Sequence, residues 1–331
     1  MKEKKDWHPF PEETYLEEME AKVVPFLKNE VTEGFCEGWD GTRIHYYYAN
    51  PEHSKGSMVI SHGFCEFFGK YHELSYYLYE QGYSFYFLEH RGHGYSGRQI
   101  DEWDKVYVKD YSDYVEDLKC FMDRVVLPVM KEKKENPQNL FLFAHSMGGA
   151  IGALFLETYP KYFQCAILSS PLMEMNLGKY PLGVVKLMFL LAKLTHHQLD
   201  YVPGQKGFDG VRVFPTSSAM SEPRYEYFFR LREQDVHNQT YGGCYSWTEA
   251  SVRATEKLRR NAGKISAPVL LFQAGRDTMV KPKGQELFCK KAKNVQCVRF
   301  EQSKHEIFNG TEDILESYYE KIFDFLDRNR K

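Results

Sequence analysis

Asn139-Leu140-Phe141-Leu142-Phe143-Ala144-His145-Ser146-Met147-Gly148-Gly149-Ala150 is the stretch that decides the fold. The unbroken apolar run from Leu140 to Ala144 reads as a strand buried on both faces. Ser146 follows it, and then Ala150-Ile151-Gly152-Ala153-Leu154-Phe155-Leu156, a small and apolar series of helical character. A strand turning this abruptly into a helix holds the residue at the bend in a strained conformation and leaves its side chain exposed above the sheet. Such a bend tolerates only small residues two positions before and two after it, and Ala144 and Gly148 stand there. Small-x-Ser-x-Gly alone is a weak signal; the strand before it and the helix after it carry the specificity.

Outward from this bend, strand-like runs are predicted at 31–38, 42–48, 57–62, 83–88, 139–144, 165–170, 268–273 and 295–300. From the third onward they alternate with helical patterns at about 67–80, 111–131, 147–159, 283–292 and 312–328. That rhythm predicts an α/β fold with an eight-stranded, mostly parallel sheet flanked by helices. Trp39, Asp40 and Gly41 supply a turn that makes the first two runs a hairpin. The rhythm breaks between Pro171 and about Gly263, where Pro, Gly and aromatic residues accompany helical stretches but no buried parallel strand. The expected division is an N-terminal helical extension over 1–30, a core over 31–171 and 264–331, and an inserted cap or lid over 172–263.

A serine hydroxyl near neutral pH needs a base within hydrogen-bond reach and a third group to orient that base. The strand Pro268–Gln273 leads into Ala274-Gly275-Arg276-Asp277 and so sets a carboxylate just past a strand's carboxyl end, where ligands collect in open α/β sheets. The next strand, Val295–Phe300, leads into Glu301-Gln302-Ser303-Lys304-His305-Glu306. Asp277 is therefore the acid candidate and His305 the base, with Asp313 and Glu306 as less well placed acids. The order Ser146, Asp277, His305 is that expected of a strand-turn-helix serine site. A tetrahedral intermediate also needs N–H donors for its oxyanion. Ser57-Met58-Val59-Ile60-Ser61-His62-Gly63-Phe64 offers the backbone N–H of Phe64, beside a Gly63 that permits a sharp strand exit, and Met147 offers the second.

These motifs resemble the α/β-hydrolase superfamily, in the serine aminopeptidase-like branch that holds monoacylglycerol lipases and bacterial lysophospholipases. The resemblance covers nearly the whole chain. It rests on His62-Gly63 with Glu66 and Tyr71, Glu89-His90-Arg91-Gly92-His93-Gly94-Tyr95-Ser96-Gly97, His145 to Ala150, Gly275-Arg276-Asp277 and His305-Glu306. It is nearest to the bacterial lysophospholipases, through Tyr114 to Leu118 and through Tyr245-Ser246-Trp247 followed by a helix from Glu249. It implies an α/β-hydrolase fold with an inserted helical cap, and hydrolysis of a single-chain acyl lipid ester. Two departures stand out: Glu89 replaces the commoner Asp, and Cys65 lies beside the proposed oxyanion donor.

Other residues could be mistaken for chemistry. Cys65 lacks the context of the bend and reads as a small buried thiol. His90 and His93 mimic a metal pair but lack further ligands, so no metal is expected and the chemistry requires no cofactor. His196 and His197 read as solvated loop residues, with a headgroup contact as the alternative, and Lys131-Glu132-Lys133-Lys134-Glu135 reads as a solvated helix end. In the cap, apolar residues from Val184 to Leu194 surround Lys186 and Lys193. Two readings stay open: a helix packed on the core, or one that also lines an acyl pocket or touches a bilayer.

Composition bounds the partners. The 331 residues carry 43 Lys and Arg against 46 Asp and Glu, a net charge of −3 that gathers no phosphate backbone and argues against nucleic acid. The 7 cysteines include no Cys-x-x-Cys pair and suit a reducing compartment. After Lys2, Lys4 and Lys5, the residues Asp6, His8, Pro9, Pro11, Glu12 and Glu13 occupy the place of a signal peptide's apolar segment, so a cytoplasmic location, peripheral to the inner membrane face if the cap binds lipid, is expected. The expected partner is a small acyl ester. Short-chain esterase, thioesterase or peptidase action on the same triad is the alternative, and a silent binding protein the alternative of another class. Oligomeric state leaves no signal.

Overall fold

The computed structural model describes residues 7–331. Lys2, Lys4, Lys5 and Asp6, part of the reading of the N-terminus, lie outside the described residues.

Ten strands run in chain order: β1 (Thr32–Glu37), β2 (Arg43–Ala49), β3 (Ser57–Ser61), β4 (Ser84–Leu88), β5 (Lys105–Val106), β6 (Leu140–His145), β7 (Cys165–Ser169), β8 (Gly242–Gly243), β9 (Val269–Ala274) and β10 (Val295–Phe300). Eight of them form one sheet in the order β1-β2-β4-β3-β6-β7-β9-β10. The hairpin β1–β2 and the pair β2–β4 are antiparallel, and the remaining ladders are parallel. All eight predicted runs are present. The fold is that of an α/β-hydrolase.

The helices are α1 (Tyr15–Glu18), α2 (Val24–Asn29), α3 (His72–Glu80), α4 (Tyr111–Phe121), α5 (Leu127–Glu132), α6 (Met147–Thr158), α7 (Leu182–Leu194), α8 (Glu222–Gln234), α9 (Tyr245–Asn261), α10 (Pro282–Lys291) and α11 (Glu312–Asn329). Single π-helical turns join α1 to α2 and α4 to α5.

Strand periodicity divides the core between the two faces of the sheet. Val59, Leu142, Ala144, Leu168 and Leu271 point to the face covered by α4, α5, α6, α9 and α10. Met58, Ile60, Phe141, Phe143, Ile167 and Phe272 point to the face covered by α3, α11 and the N-terminal helices. Each such side chain contributes roughly 1.5–3 kcal/mol by leaving water, which is why β3, β4, β6, β7 and β9 read as continuous apolar runs. The edge strands β1 and β10 are largely exposed and alternate instead.

Between β7 and β9 the chain makes its long excursion, carrying α7, α8 and α9. Contrary to the sequence reading, this stretch holds a buried parallel strand: β8 pairs with β5, a ladder of only two residues that leaves no periodic signal. The helix expected from Glu249 begins already at Tyr245, because the Cys244 sulfur accepts from the Trp247 N–H and caps it. α8 is fastened by Arg224, whose guanidinium makes two hydrogen bonds to Glu73 on α3, at 2.9 and 2.8 Å, and one to the Phe10 carbonyl.

The lysines of α7 are half exposed yet lie on the side of the helix that meets α9. Lys186 and Lys193 reach Glu256 and Glu249 on α9, at 2.8 and 3.0 Å, and the same side of α7 buries Val185, Phe189 and Ala192. The apolar majority, Leu182, Val184, Leu187, Leu190, Leu191 and Leu194, is exposed. The Lys131–Glu135 run is also corrected in part: Lys131 to Lys134 are exposed, but the Glu135 carboxylate accepts from Ser84 at 2.5 Å, from Asn50 at 2.9 Å and from Ser57.

Candidate active site

β6 ends at His145 and α6 begins at Met147, leaving Ser146 between them at φ 51° and ψ −116°. A non-glycine residue at positive φ is strained and is held only by what surrounds it. Here the Ser146 N–H donates to the Ser169 carbonyl at 3.1 Å, and the Ser146 carbonyl accepts from Leu172 at 2.8 Å and Ala150 at 3.2 Å. A Cβ on Gly148 would lie 2.1 Å from the Ser61 carbonyl oxygen and 2.5 Å from that of His62, so the backbone of the neighbouring strand end excludes any other residue. Ala144 is fully buried in the ladder between Ser61 and Leu168.

The loop after β9 carries Asp277 and the loop after β10 carries His305. These strands are parallel neighbours, so both loops emerge at the same sheet edge as the bend after β6. His305 Nε2 lies 2.7 Å from Ser146 Oγ, and His305 Nδ1 lies 2.6 Å from Asp277 Oδ2. Asp277 Oδ1 accepts from the N–H groups of Met279 and Val280 at 2.8 and 3.0 Å. Burial raises the Asp277 carboxyl, but the hydrogen bond and charge of His305 and these two N–H groups outweigh it and hold the carboxyl below its ordinary value. This carboxylate is poised to keep a proton on Nδ1 and leave Nε2 free to accept one from the serine. Asp313 and Glu306 are engaged elsewhere, with Thr311 and Lys70.

Phe64 and Met147 line the same cavity as Ser146 and His305. Met147 is the first residue of α6, so its N–H has no partner within the helix, and Phe64 is fixed by stacking of its ring on Trp247 at 4.0 Å. Gly63 is required for space: a Cβ there would meet Glu66 Oε2 at 2.7 Å and His145 at 3.0 Å. Its N–H donates to that same Glu66 oxygen at 2.5 Å.

Beneath the serine lies a polar cluster. Lys70 Nζ donates to Glu66 at 3.2 Å and to Glu306 at 2.6 Å, Tyr71 donates to Glu66 at 2.5 Å, and His145 Nδ1 faces the Ser169 carbonyl at 3.0 Å. Burial lowers the pKa of His145 to about 4, so it stays neutral beside His305. Cys65 is partly buried, with its thiol pushed up by desolvation, and its N–H donates to His93 Nε2 at 3.1 Å. His90 Nε2 faces Ser61 Oγ at 2.9 Å. Both histidines thus brace the end of β3 and the loop that carries Phe64. Glu89 is fully buried, accepting from the Tyr95 N–H at 2.7 Å and meeting His45 Nδ1 at 3.0 Å; its extra methylene relative to Asp gives it that reach.

The cavity has a volume of about 530 Å³. Its apolar wall comes from Leu172, Met175, Val211, Val213, Phe228, Phe229, Trp247 and Val280. Among the described residues none from 182 to 194 lines it, which removes the acyl-pocket reading of α7. A larger cleft of about 680 Å³, between α2, the β1–β2 hairpin and α8, contains none of the three catalytic candidates. His196 and His197 are exposed and line neither, with His197 meeting Asp200.

The family model described as "Serine aminopeptidase, S33" (Hydrolase_4) matches residues 52–312. The chain belongs to this family. Within reach of it by sequence are probable lysophospholipase L2 of Haemophilus influenzae, 25% identical over 309 residues, covering 93% of this chain and 95% of the relative; lysophospholipase L2 of Escherichia coli K12, 28% identical, covering 76% and 72%; and the monoacylglycerol lipase of Mycolicibacterium smegmatis, 25% identical, covering 84% and 91%. Among solved structures, a soluble variant of monoglyceride lipase from Saccharomyces cerevisiae shares the fold, with TM-score 0.71 and 20% identity over 92% of this chain and 97% of the other.

Sequence reasoning missed Lys70 and Arg232, which enter the cavity wall from the 3-10 turn Phe68–Tyr71 and from α8, far from the serine in sequence. The spacing of Glu66 and Lys70, four apart, was a readable signal for the first; nothing local marks the second.

Proposed function

We propose that this protein hydrolyses the carboxylic ester of a single-chain acyl lipid through an acyl-enzyme on Ser146. The observation that carries the reading is the unbroken hydrogen-bonded chain Ser146–His305–Asp277, set in a cavity that has an apolar wall. Ser146 Oγ attacks the ester carbonyl as His305 Nε2 takes its proton, and Asp277 stabilises the imidazolium. The N–H groups of Phe64 and Met147 hold the oxyanion, each such donor being worth about 3 kcal/mol in the transition state. His305 then protonates the leaving alcohol and draws a proton from water, which releases the fatty acid and restores the serine.

The family and the lysophospholipase and monoacylglycerol lipase relatives support an ester hydrolase acting on such lipids. Residues 172–263 act as the cap, and the exposed leucines of α7 bring the cavity to a lipid surface. Among the described residues no helix is long and apolar enough to cross a membrane. The seven free cysteines favour a reducing, cytoplasmic setting, and the exposed leucines of α7 favour peripheral binding to the inner membrane face.

The test is kcat/KM over monoacylglycerols, lysophospholipids and p-nitrophenyl esters of increasing chain length, at monomeric concentrations. Each buried methylene contributes roughly 0.8 kcal/mol, so efficiency should rise several-fold per added CH₂ until the cavity is full. Best turnover on acetate and butyrate, with no gain from longer chains, would replace this reading with a general esterase.

A further inference from the structure

Arg232 is a cavity residue that ester hydrolysis itself does not use. It sits on α8, is 7% exposed, and lines the cavity with Ser146, His305 and Phe64. Burying a guanidinium is costly unless an anion meets it. The other deeply buried arginines obey that rule: Arg91 pairs with Asp117 and Asp40, and Arg224 with Glu73. Arg232 has no carboxylate at ion-pair distance among the described residues. Its Nη2 donates to the Cys65 carbonyl at 2.6 Å and its Nε to the Asn238 carbonyl at 3.1 Å, which leaves Nη1 without a partner among the described residues. The rings of Phe67 and Tyr241 lie near its faces, at 5.4 and 6.0 Å. Glu306 and Glu66 bear on it electrostatically, but both are already bound to Lys70.

We propose that Arg232 binds the phosphate of a monoacyl glycerophospholipid, which makes lysophospholipids, rather than neutral monoacylglycerols, the preferred substrates. This rests on the acyl-lipid reading of the Ser146 site and selects within it. A guanidinium fork matches phosphate oxygens in charge and geometry, and a bound phosphate supplies the contacting anion that the protein withholds. The placement also suits it: Arg232 holds the carbonyl of Cys65, the residue next to the proposed oxyanion donor Phe64, and lines the same cavity as Ser146.

The experiment compares kcat/KM for lauroyl lysophosphatidylcholine and monolaurin, which share an acyl chain, in wild type, Arg232→Gln and Arg232→Lys. The wild type should favour the lysophospholipid, Arg232→Gln should lower the ratio of the two efficiencies by about 10- to 100-fold, and Arg232→Lys should restore part of it. A purely structural role would depress both substrates alike; an unchanged ratio overturns the proposal. Wild-type enzyme provides a check free of folding effects. Glycerophosphocholine should inhibit monolaurin hydrolysis competitively where glycerol does not, and absence of competition overturns the assignment, as does equal inhibition by inorganic phosphate, which would mark a free-anion site. Failure of the wild type to hydrolyse either lipid is a separate result that removes the acyl-lipid reading and this proposal with it.

Discussion

At the bend after β6, a methyl group on Gly148 would lie 2.1 Å from a backbone oxygen; in the excursion between β7 and β9, a methyl on Gly178, Gly183, Gly204 or Gly210 would meet nothing within 4 Å. The helices that follow repeat the contrast. α6 buries all but its last two residues, whereas α7 buries three side chains and shows its leucines to solvent. One region is packed so that the reacting atoms have a single arrangement, which is what an oriented triad needs. In the other, α8 and α9 are packed on the core, with Arg224 bound to Glu73, while α7 meets α9 through its two lysines and leaves most of its apolar residues exposed. Under the proposed function, chemistry belongs to the first region and choice of substrate to the second.

The largest effect expected on that contrast comes from Asp277→Asn, which keeps the shape of the side chain but favours the wrong imidazole tautomer. Turnover should fall by about 10⁴-fold with the fold retained, and wild-type turnover would move the acid elsewhere. The same residue gives a pH dependence. Because its carboxyl is held below the ordinary value, its contribution to stability is fully present above the unfolded-state aspartate pKa and is lost as pH falls through the lowered folded value. Chemical denaturation of wild type and Asp277→Asn should therefore converge in acid.

Gly148→Ala tests the rigid side of the comparison by forcing backbone apart. A loss of about 3 kcal/mol in urea denaturation is expected; a neutral outcome would mean that the bend can relax. The loose side is tested by Leu187→Glu combined with Leu191→Glu. Vesicle binding in a flotation assay should drop at least tenfold, as two buried leucines contribute roughly 1.5–3 kcal/mol each, with turnover of a water-soluble ester nearly unchanged. Equal vesicle binding would assign α7 no lipid contact. The smallest effect belongs to Gly183→Ala, in the first turn of α7 with open space around it: a gain of about 0.5–1 kcal/mol, read as a small rise in Tm.

How much the sequence disclosed follows the same division. The eight strands, the bend at Ser146 and the loops of Asp277 and His305 were legible because buried parallel strands leave continuous apolar runs and each candidate follows one directly. The excursion was legible only as a break in rhythm. A two-residue ladder such as β5–β8 has no period to detect. The orientation of α7 stayed open in the sequence, because it depends on Glu249 and Glu256 of α9, some sixty residues on, which meet its two lysines. Arg232 depends on tertiary approach to the Cys65 carbonyl and had no local signature.

The central claim is that Ser146, activated through His305, is the residue that becomes acylated. Peptide mapping by mass spectrometry after reaction with a fluorophosphonate tests it most directly. The account predicts one adduct, on Ser146, with no labelling and no ester hydrolysis in folded Ser146→Ala. An adduct on another residue, or undiminished labelling of the folded variant, would contradict it.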